Sequence, residues 1–110
     1  MKEYNFGEIV LIEFPFTDTI ALKRRPALIL LDNGDNDIIV ARVTSQVTQA
    51  SFDVEITDWK QAGLLLPSIV RVDKVATLEK RLAEKKLGKL ATYDYTQVLE
   101  CIKHLCALIS

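Results

Sequence analysis

Through most of the chain the apolar residues fall in short runs broken by turn residues, a rhythm of strands. Glu8 to Phe14, EIVLIEF, follows Gly7 and is rich in β-branched residues, which predicts a first strand. Pro15 stops its ladder, and Pro15-Phe16-Thr17-Asp18 opens a loop. Pro26 to Leu31, PALILL, is apolar throughout and fits a strand buried on both faces, with the proline at its first residue. Asp32 to Asn36 contains Asn-Gly, the strongest short hairpin signal, and Asp37 to Thr44, DIIVARVT, is the return strand. Phe52 to Ile56 alternates apolar and polar residues and predicts a fourth strand. Thr57 to Pro67 is a loop holding Trp59, Gly63 and Pro67. Ser68 to Val72 is a fifth strand, with Ile69 and Arg71 on one face and Val70 and Val72 on the other. Residue preferences over Glu79 to Leu87 favour a helix, but the β neighbours and Gly88 tip the reading to a strand over Leu82 to Leu87.

After Gly88 the period changes. Tyr95, Val98, Leu99, Ile102, Leu105, Cys106 and Ile109 recur at helical spacing and predict one amphipathic helix, with Thr92 as N-cap and Asp94 in the first turn. Its apolar stripe must pack on something, most simply the sheet. Short strands, tight turns and a final helix predict one domain over residues 1–110, a small, strongly bent antiparallel barrel carrying a helix.

Composition narrows the class. Hydrophobic residues make up 49% of the 110 and charged residues 26%, a globular balance that excludes disorder. No apolar run is long enough to span a bilayer, and Met1 to Gly7 lacks the apolar stretch of a signal peptide, so a cytoplasmic protein is expected. Cys101 and Cys106 lie five apart on the helix, pointing away from each other, and are expected reduced and partly buried. Two cysteines and one histidine do not make a metal site, and no metal or cofactor is expected. The net charge of −1 argues against nucleic-acid binding by bulk electrostatics, so any such function must rest on a local basic patch.

The densest basic point is Lys23-Arg24-Arg25 before Pro26. It is either a solvated turn or a phosphate clamp built on guanidinium forks. The proline restricts the backbone of Arg25, so Arg25 is the favoured member. Thr44, Ser45 and Gln46 end the third strand. They close a turn, or hold a phosphate or base edge without adding charge. Arg71 and Asp73 are two apart, on one face of a strand. They form either a surface ion pair or an acid–base pair able to activate a 2′-hydroxyl and stabilise a leaving oxygen. His104, the sole histidine, projects opposite the apolar stripe and reads as solvated. Trp59 reads as a lid on the core edge, with base stacking as its alternative.

In order along the chain, Gly7-Glu8-Ile9-Val10, Lys23-Arg24-Arg25-Pro26-Ala27-Leu28-Ile29-Leu30, Val43-Thr44-Ser45-Gln46, Val70-Arg71-Val72-Asp73 and the Gly88-Lys89-Leu90 junction resemble the MazF/PemK/Kid toxins of toxin–antitoxin systems. The resemblance covers nearly the whole chain. It implies an SH3-like barrel of the CcdB class and a homodimer that cuts single-stranded RNA without a metal. Attack by the 2′-hydroxyl would leave a 2′,3′-cyclic phosphate and a 5′-hydroxyl, and a cognate antitoxin would block the site. By match, Arg25 contacts the scissile phosphate, Thr44 and Ser45 help to hold it, and Arg71 and Asp73 act as acid and base. Lys23, Arg24 and Gln46 join them as RNA contacts. The loop Thr17 to Leu22 lacks the histidine and the glycine-and-glutamate pattern of several members. The alternative on the same barrel is a toxin that binds without catalysis, as a gyrase poison or an inactive partner of an antitoxin.

Overall fold

The computed structural model describes residues 2–14, 23–46 and 50–109. Within them the chain forms β1 (Glu8–Phe14), β2 (Lys23–Asp32), β3 (Asp37–Thr44), β4 (Asp53–Ile56), β5 (Ser68–Glu79), a 3-10 turn (Lys80–Leu82), β6 (Ala83–Lys89) and α1 (Thr92–Ile109). The strands make one antiparallel sheet in the order β4-β5-β3-β2-β1-β6. It is strongly bent but not closed, as in a half-open barrel, and α1 lies against β4 and β5. The expected Pro15–Leu22 loop falls outside the described residues.

Alternation divides the core. Ile9, Leu28, Ala41, Val43, Val70 and Val72 belong to one apolar cluster, which Val98 of α1 covers. Their strand neighbours Val10, Ala27, Ile29 and Val40 belong to a second, completed by Tyr4, Ile38 and Leu78. Consecutive residues in different clusters mean that both faces of the central strands are buried. That is why Ala27 to Leu30 carry no polar residue, whereas Leu31, read as part of the same buried run, is 49% exposed.

Two strands exceed the lengths expected of them. β2 begins at Lys23 because its first residues pair with β1, Lys23 opposite Phe14 and Arg25 opposite Ile12. Pro26 is therefore the fourth residue of β2, not the first; pairing with β3 begins one residue later, at Ala27 opposite Arg42, so the proline interrupts no ladder on that side. β5 runs on to Glu79 through a bulge. Arg42 pairs with Arg71 and the next β3 residue, Ala41, pairs with Val75, leaving Val72, Asp73 and Lys74 opposite no β3 residue. The bulge breaks the alternation on which a strand of five residues was read.

The helix docks on an arc rotated from the expected stripe, sharing Val98, Ile102 and Leu105 with it. Asp94, wholly buried, accepts hydrogen bonds from the Thr57 amide (3.0 Å), the Thr57 hydroxyl (2.8 Å) and the Asp58 amide (2.9 Å). This turns Val98, Cys101, Ile102 and Leu105 to the core, while Tyr95, Cys106 and Ile109 are exposed. Nor is Thr92 the N-cap: the Tyr95 amide donates to the Ala91 carbonyl, which makes Ala91 the capping position. Both cysteines are free. Among the described residues no helix is long and apolar enough to cross a membrane.

Candidate active site

Register assembles the site. Across the sheet, Ala27 of β2 faces Arg42 of β3, Arg42 faces Arg71 of β5, and Arg71 faces Asp53 of β4. Opposed residues point to one side, so Arg42, Arg71 and Asp53 form a polar row. Arg25, two residues before Ala27, lies beyond the last β2–β3 pair, level with Thr44 at the end of β3. Here a cavity of about 860 Å³ opens, lined by Arg25, Arg42, Arg71 and Lys85, by Thr44, Ser45 and Gln46, and by an apolar wall that includes Leu11, Leu65, Leu66 and Leu87. No aspartate or glutamate is among the described lining residues. Four cations therefore share one concavity on a chain whose net charge is −1.

Each polar group is held differently. The Arg71 Nε lies 3.4 Å from Oδ1 of Asp53, whose side chain is only 4% exposed. The other oxygen of Asp53 accepts the Ala50 amide (3.1 Å). A carboxylate fixed in this way anchors the guanidinium at Nε and leaves its other N–H groups without a bond to that carboxylate, and Arg71 lines the cavity. The Gln46 amide donates to the Thr44 hydroxyl oxygen (3.1 Å), so Thr44 closes a turn and keeps its own proton to donate. The turn-closing reading of Thr44 is thus observed, and its hydroxyl lies at the cavity. The Arg42 guanidinium sits 5.9 Å from the centre of the Phe14 ring. Arg25, Arg42 and Lys85 make no ion pair among the described residues.

The apolar wall is placed by a tight junction. Gly63 adopts φ +81°, and a Cβ on it would overlap the Leu87 carbonyl of β6; a Cβ on Gly88 would reach within 2.6 Å of Ala62. The chain and β6 can approach so closely only because both positions lack side chains. The residues that follow, Leu65 and Leu66, form an exposed apolar lip.

Of the residues singled out in the sequence, Arg25, Thr44, Ser45, Gln46 and Arg71 meet in this cavity. Asp73 does not line it. It lines a smaller cavity of about 390 Å³ with Lys74, Val75 and Ala76, and the two cavities share Phe14 and Arg42 as a common wall. The bulge is the reason: residues two apart lie on one face only in a regular strand, and Arg71 pairs with Asp53 rather than with Asp73. Arg24 is outside the cavity and bonded to Glu84 of β6 (2.6 Å). Lys23 opens β2, and its side chain is outside the described residues. His104 is exposed, its ring 5.9 Å from that of Phe52, and Trp59 is half-buried against the first cluster under Lys60; neither lines the cavity.

Sequence reading missed Arg42, Lys85, Asp53 and the leucine lip. Arg42 carried a local signal, as the one cation inside DIIVARVT, beside Val43-Thr44. Lys85 carried none, since only the pairing of β6 with β1 brings it to the site, opposite Leu11. Among the described residues no group of three or more His, Cys, Asp or Glu side chains is placed to hold a metal ion.

The sequence model of the PemK-like, MazF-like toxins of type II toxin–antitoxin systems matches residues 5–106. No curated protein sequence matches the chain. Among solved structures, the Mycobacterium tuberculosis toxin MazF-mt6 is 23% identical with TM-score 0.73, covering 88% of this chain and 93% of its own. A MazE–MazF structure from Deinococcus radiodurans is 25% identical with TM-score 0.74 and coverage of 94% and 96%. An endoribonuclease in complex with its cognate antitoxin, from a mycobacterial species, is 17% identical with TM-score 0.75 and coverage of 96% and 97%.

Proposed function

The chain belongs to the PemK-like, MazF-like toxins of type II toxin–antitoxin systems, and from that premise we propose that it is a metal-independent endoribonuclease of single-stranded RNA, active as a homodimer and silenced by a cognate antitoxin. One observation carries the reading: four cations converge on a cavity with no acid among its described lining residues. Such a concavity favours a phosphodiester whatever the net charge, because the local field decides where an anion binds. The Lys23-Arg24-Arg25 corner and the Thr44-Ser45-Gln46 strand end supply donors, with Arg25 as the principal clamp and Thr44 and Ser45 as neutral partners of the phosphate oxygens.

In the reaction, the Asp73 carboxylate takes the proton of the 2′-hydroxyl. The 2′ oxygen then bonds to the adjacent phosphorus while the bond from phosphorus to the 5′ oxygen breaks. Arg71, the acid of the pair, stabilises the leaving oxygen and gives it a proton that it regains from solvent, so the products are a 5′-hydroxyl and a 2′,3′-cyclic phosphate. Asp73 serves from the adjoining cavity, across the wall shared at Arg42 and Phe14. The exposed lip at Leu65 (91%) and Leu66 (58%) is an apolar margin suited to burial by the antitoxin.

The test is incubation of the purified protein with a defined RNA in EDTA, followed by mapping of the ends. Cleavage to the two stated termini is expected. Arg25→Ala abolishes it while sedimentation still shows a dimer. Asp73→Asn lowers the rate by roughly 10²–10⁴-fold and removes the acidic limb of the pH–rate profile. Strong inhibition by EDTA, or RNA that is bound and left whole, overturns the proposal in favour of metal-dependent chemistry or of a toxin that only binds.

A further inference from the structure

Arg42 is in a position that folding alone disfavours. It stands directly opposite Arg71 across two strands, and like charges so placed repel. Arg71 turns to Asp53, whereas Arg42 makes no ion pair among the described residues and lies instead over the Phe14 ring. Arg42 and Phe14 line the large cavity and the small one, so together they form the partition between the two, whereas Arg71 lines only the large one. The small cavity, at about 390 Å³, is within the range of roughly 300–1,000 Å³ typical of small-molecule sites. Its lining mixes an aromatic ring, aliphatic side chains, the Arg42 guanidinium, the Lys74 ammonium and the Asp73 carboxylate, the base of the reaction proposed above.

We propose that this small cavity is the binding site of the nucleotide next to the scissile phosphate, and that Arg42, backed by Phe14, selects its base. The inference rests on the nuclease reading above and adds a specificity residue to it. A guanidinium plane can stack on a base while its N–H groups reach a phosphate, which an ammonium cannot do. At the partition, one side chain can therefore couple the phosphate in the large cavity to the base in the small one. The repulsion from Arg71 is relieved when an anion lies between the two.

The experiment uses the full-length dimer and a short RNA containing its mapped cleavage site, made uncleavable by a 2′-deoxyribose at the scissile nucleotide. Affinity is read by fluorescence anisotropy, and nucleotide preference by end-mapping of a randomised RNA pool. Arg42→Gln weakens binding of the probe at least tenfold and broadens preference at one position beside the cut, with Tm equal to or above that of the parent. Arg42→Lys recovers affinity but not the preference. Phe14→Leu, which keeps an apolar side chain in the core, also broadens that position. The proposal is overturned if Arg42→Gln cuts the same sequences at a rate within twofold of the parent. A loss of affinity with the preference intact overturns it too, because it reduces Arg42 to a phosphate contact. If the parent protein neither binds nor cuts RNA, the nuclease reading fails first and this subsite fails with it.

Discussion

Asp32 shows how one side chain can join three parts of the chain. It ends β2, with its side chain fully enclosed, and accepts the Glu3 amide (2.7 Å), the Tyr4 amide (3.0 Å) and the Gly34 amide (2.9 Å), and pairs with Lys80 (2.9 Å). The N-terminal segment, the β2–β3 hairpin and the 3-10 turn are thereby tied to one carboxylate. Burial pushes its pKa up, but the Lys80 ammonium and the three amides outweigh burial and hold it well below the usual carboxylate range. A carboxyl group with a depressed folded-state pKa contributes stability that is complete above its unfolded value of about 4 and fades as pH falls toward the folded one. Asp32→Asn should therefore be less stable at pH 7, and below about pH 4 the gap to the parent should narrow. Urea midpoints measured from pH 7 down to pH 2 check this, and a constant gap would mean that Asp32 acts by shape and not by charge. Asp32 was legible in the sequence only as a turn residue beside Asn-Gly, because its partners at positions 3, 4 and 80 come from the fold.

At the scale of elements, local pattern found every strand core and the helix, since each is written in contiguous residues. It failed where two elements act on each other. The period of α1 and the centre of its inward face were right, but Cys101 turns in and Tyr95, Cys106 and Ile109 turn out, because the bonds that Asp94 accepts from Thr57 and Asp58 set the rotation and no periodicity encodes them. Arg71 and Asp73 were spaced for one face, and the bulge opposite Ala41 and Arg42 separated them into neighbouring cavities. The junction of Gly63 with β6 is a third case, and two glycines give it a measurable contrast. Gly34 has φ +91° and open space around it, with the nearest atom 3.8 Å from an added Cβ. Gly34→Ala meets backbone strain alone, about 1–2 kcal/mol. Gly63→Ala meets that strain and an overlap with the Leu87 backbone, so it should cost more, about 3 kcal/mol or above. Denaturant unfolding of both variants ranks them. If the nuclease reading holds, Gly63→Ala, which moves the Leu65–Leu66 lip, also loses cleavage under native conditions, and Gly34→Ala does not.

For the molecule as a whole, the question is how a chain of net charge −1 could act on a polyanion. The sheet sorts its charges. Arg24 is paired with Glu84, Lys86 with Glu8, Lys80 with Asp32 and Arg81 with Glu79, all outside the large cavity, whereas Arg25, Arg42, Arg71 and Lys85 are turned into it. Pairing removes charge from the outer surface and leaves the surplus where the lining lacks acids. Of the four cations in the cavity only Arg71 has a carboxylate partner among the described residues. The consequence is thermodynamic. A cation that neutralises a phosphate releases a condensed counterion, and for single strands log K falls with log salt by about 0.7 per contact. If all four cations engage, the slope should be roughly −3 per site, and replacing Arg42 or Lys85 by Gln should make it shallower by about 0.7. Bulk attraction would give a different result, because every cation would then count alike and removing Arg81 from its exposed pair with Glu79 would flatten the slope as much as removing Lys85. Titrating an uncleavable RNA at several salt concentrations, with the parent, Lys85→Gln and Arg81→Gln, separates the two: the cavity account requires Lys85 to change the slope and Arg81 to leave it alone.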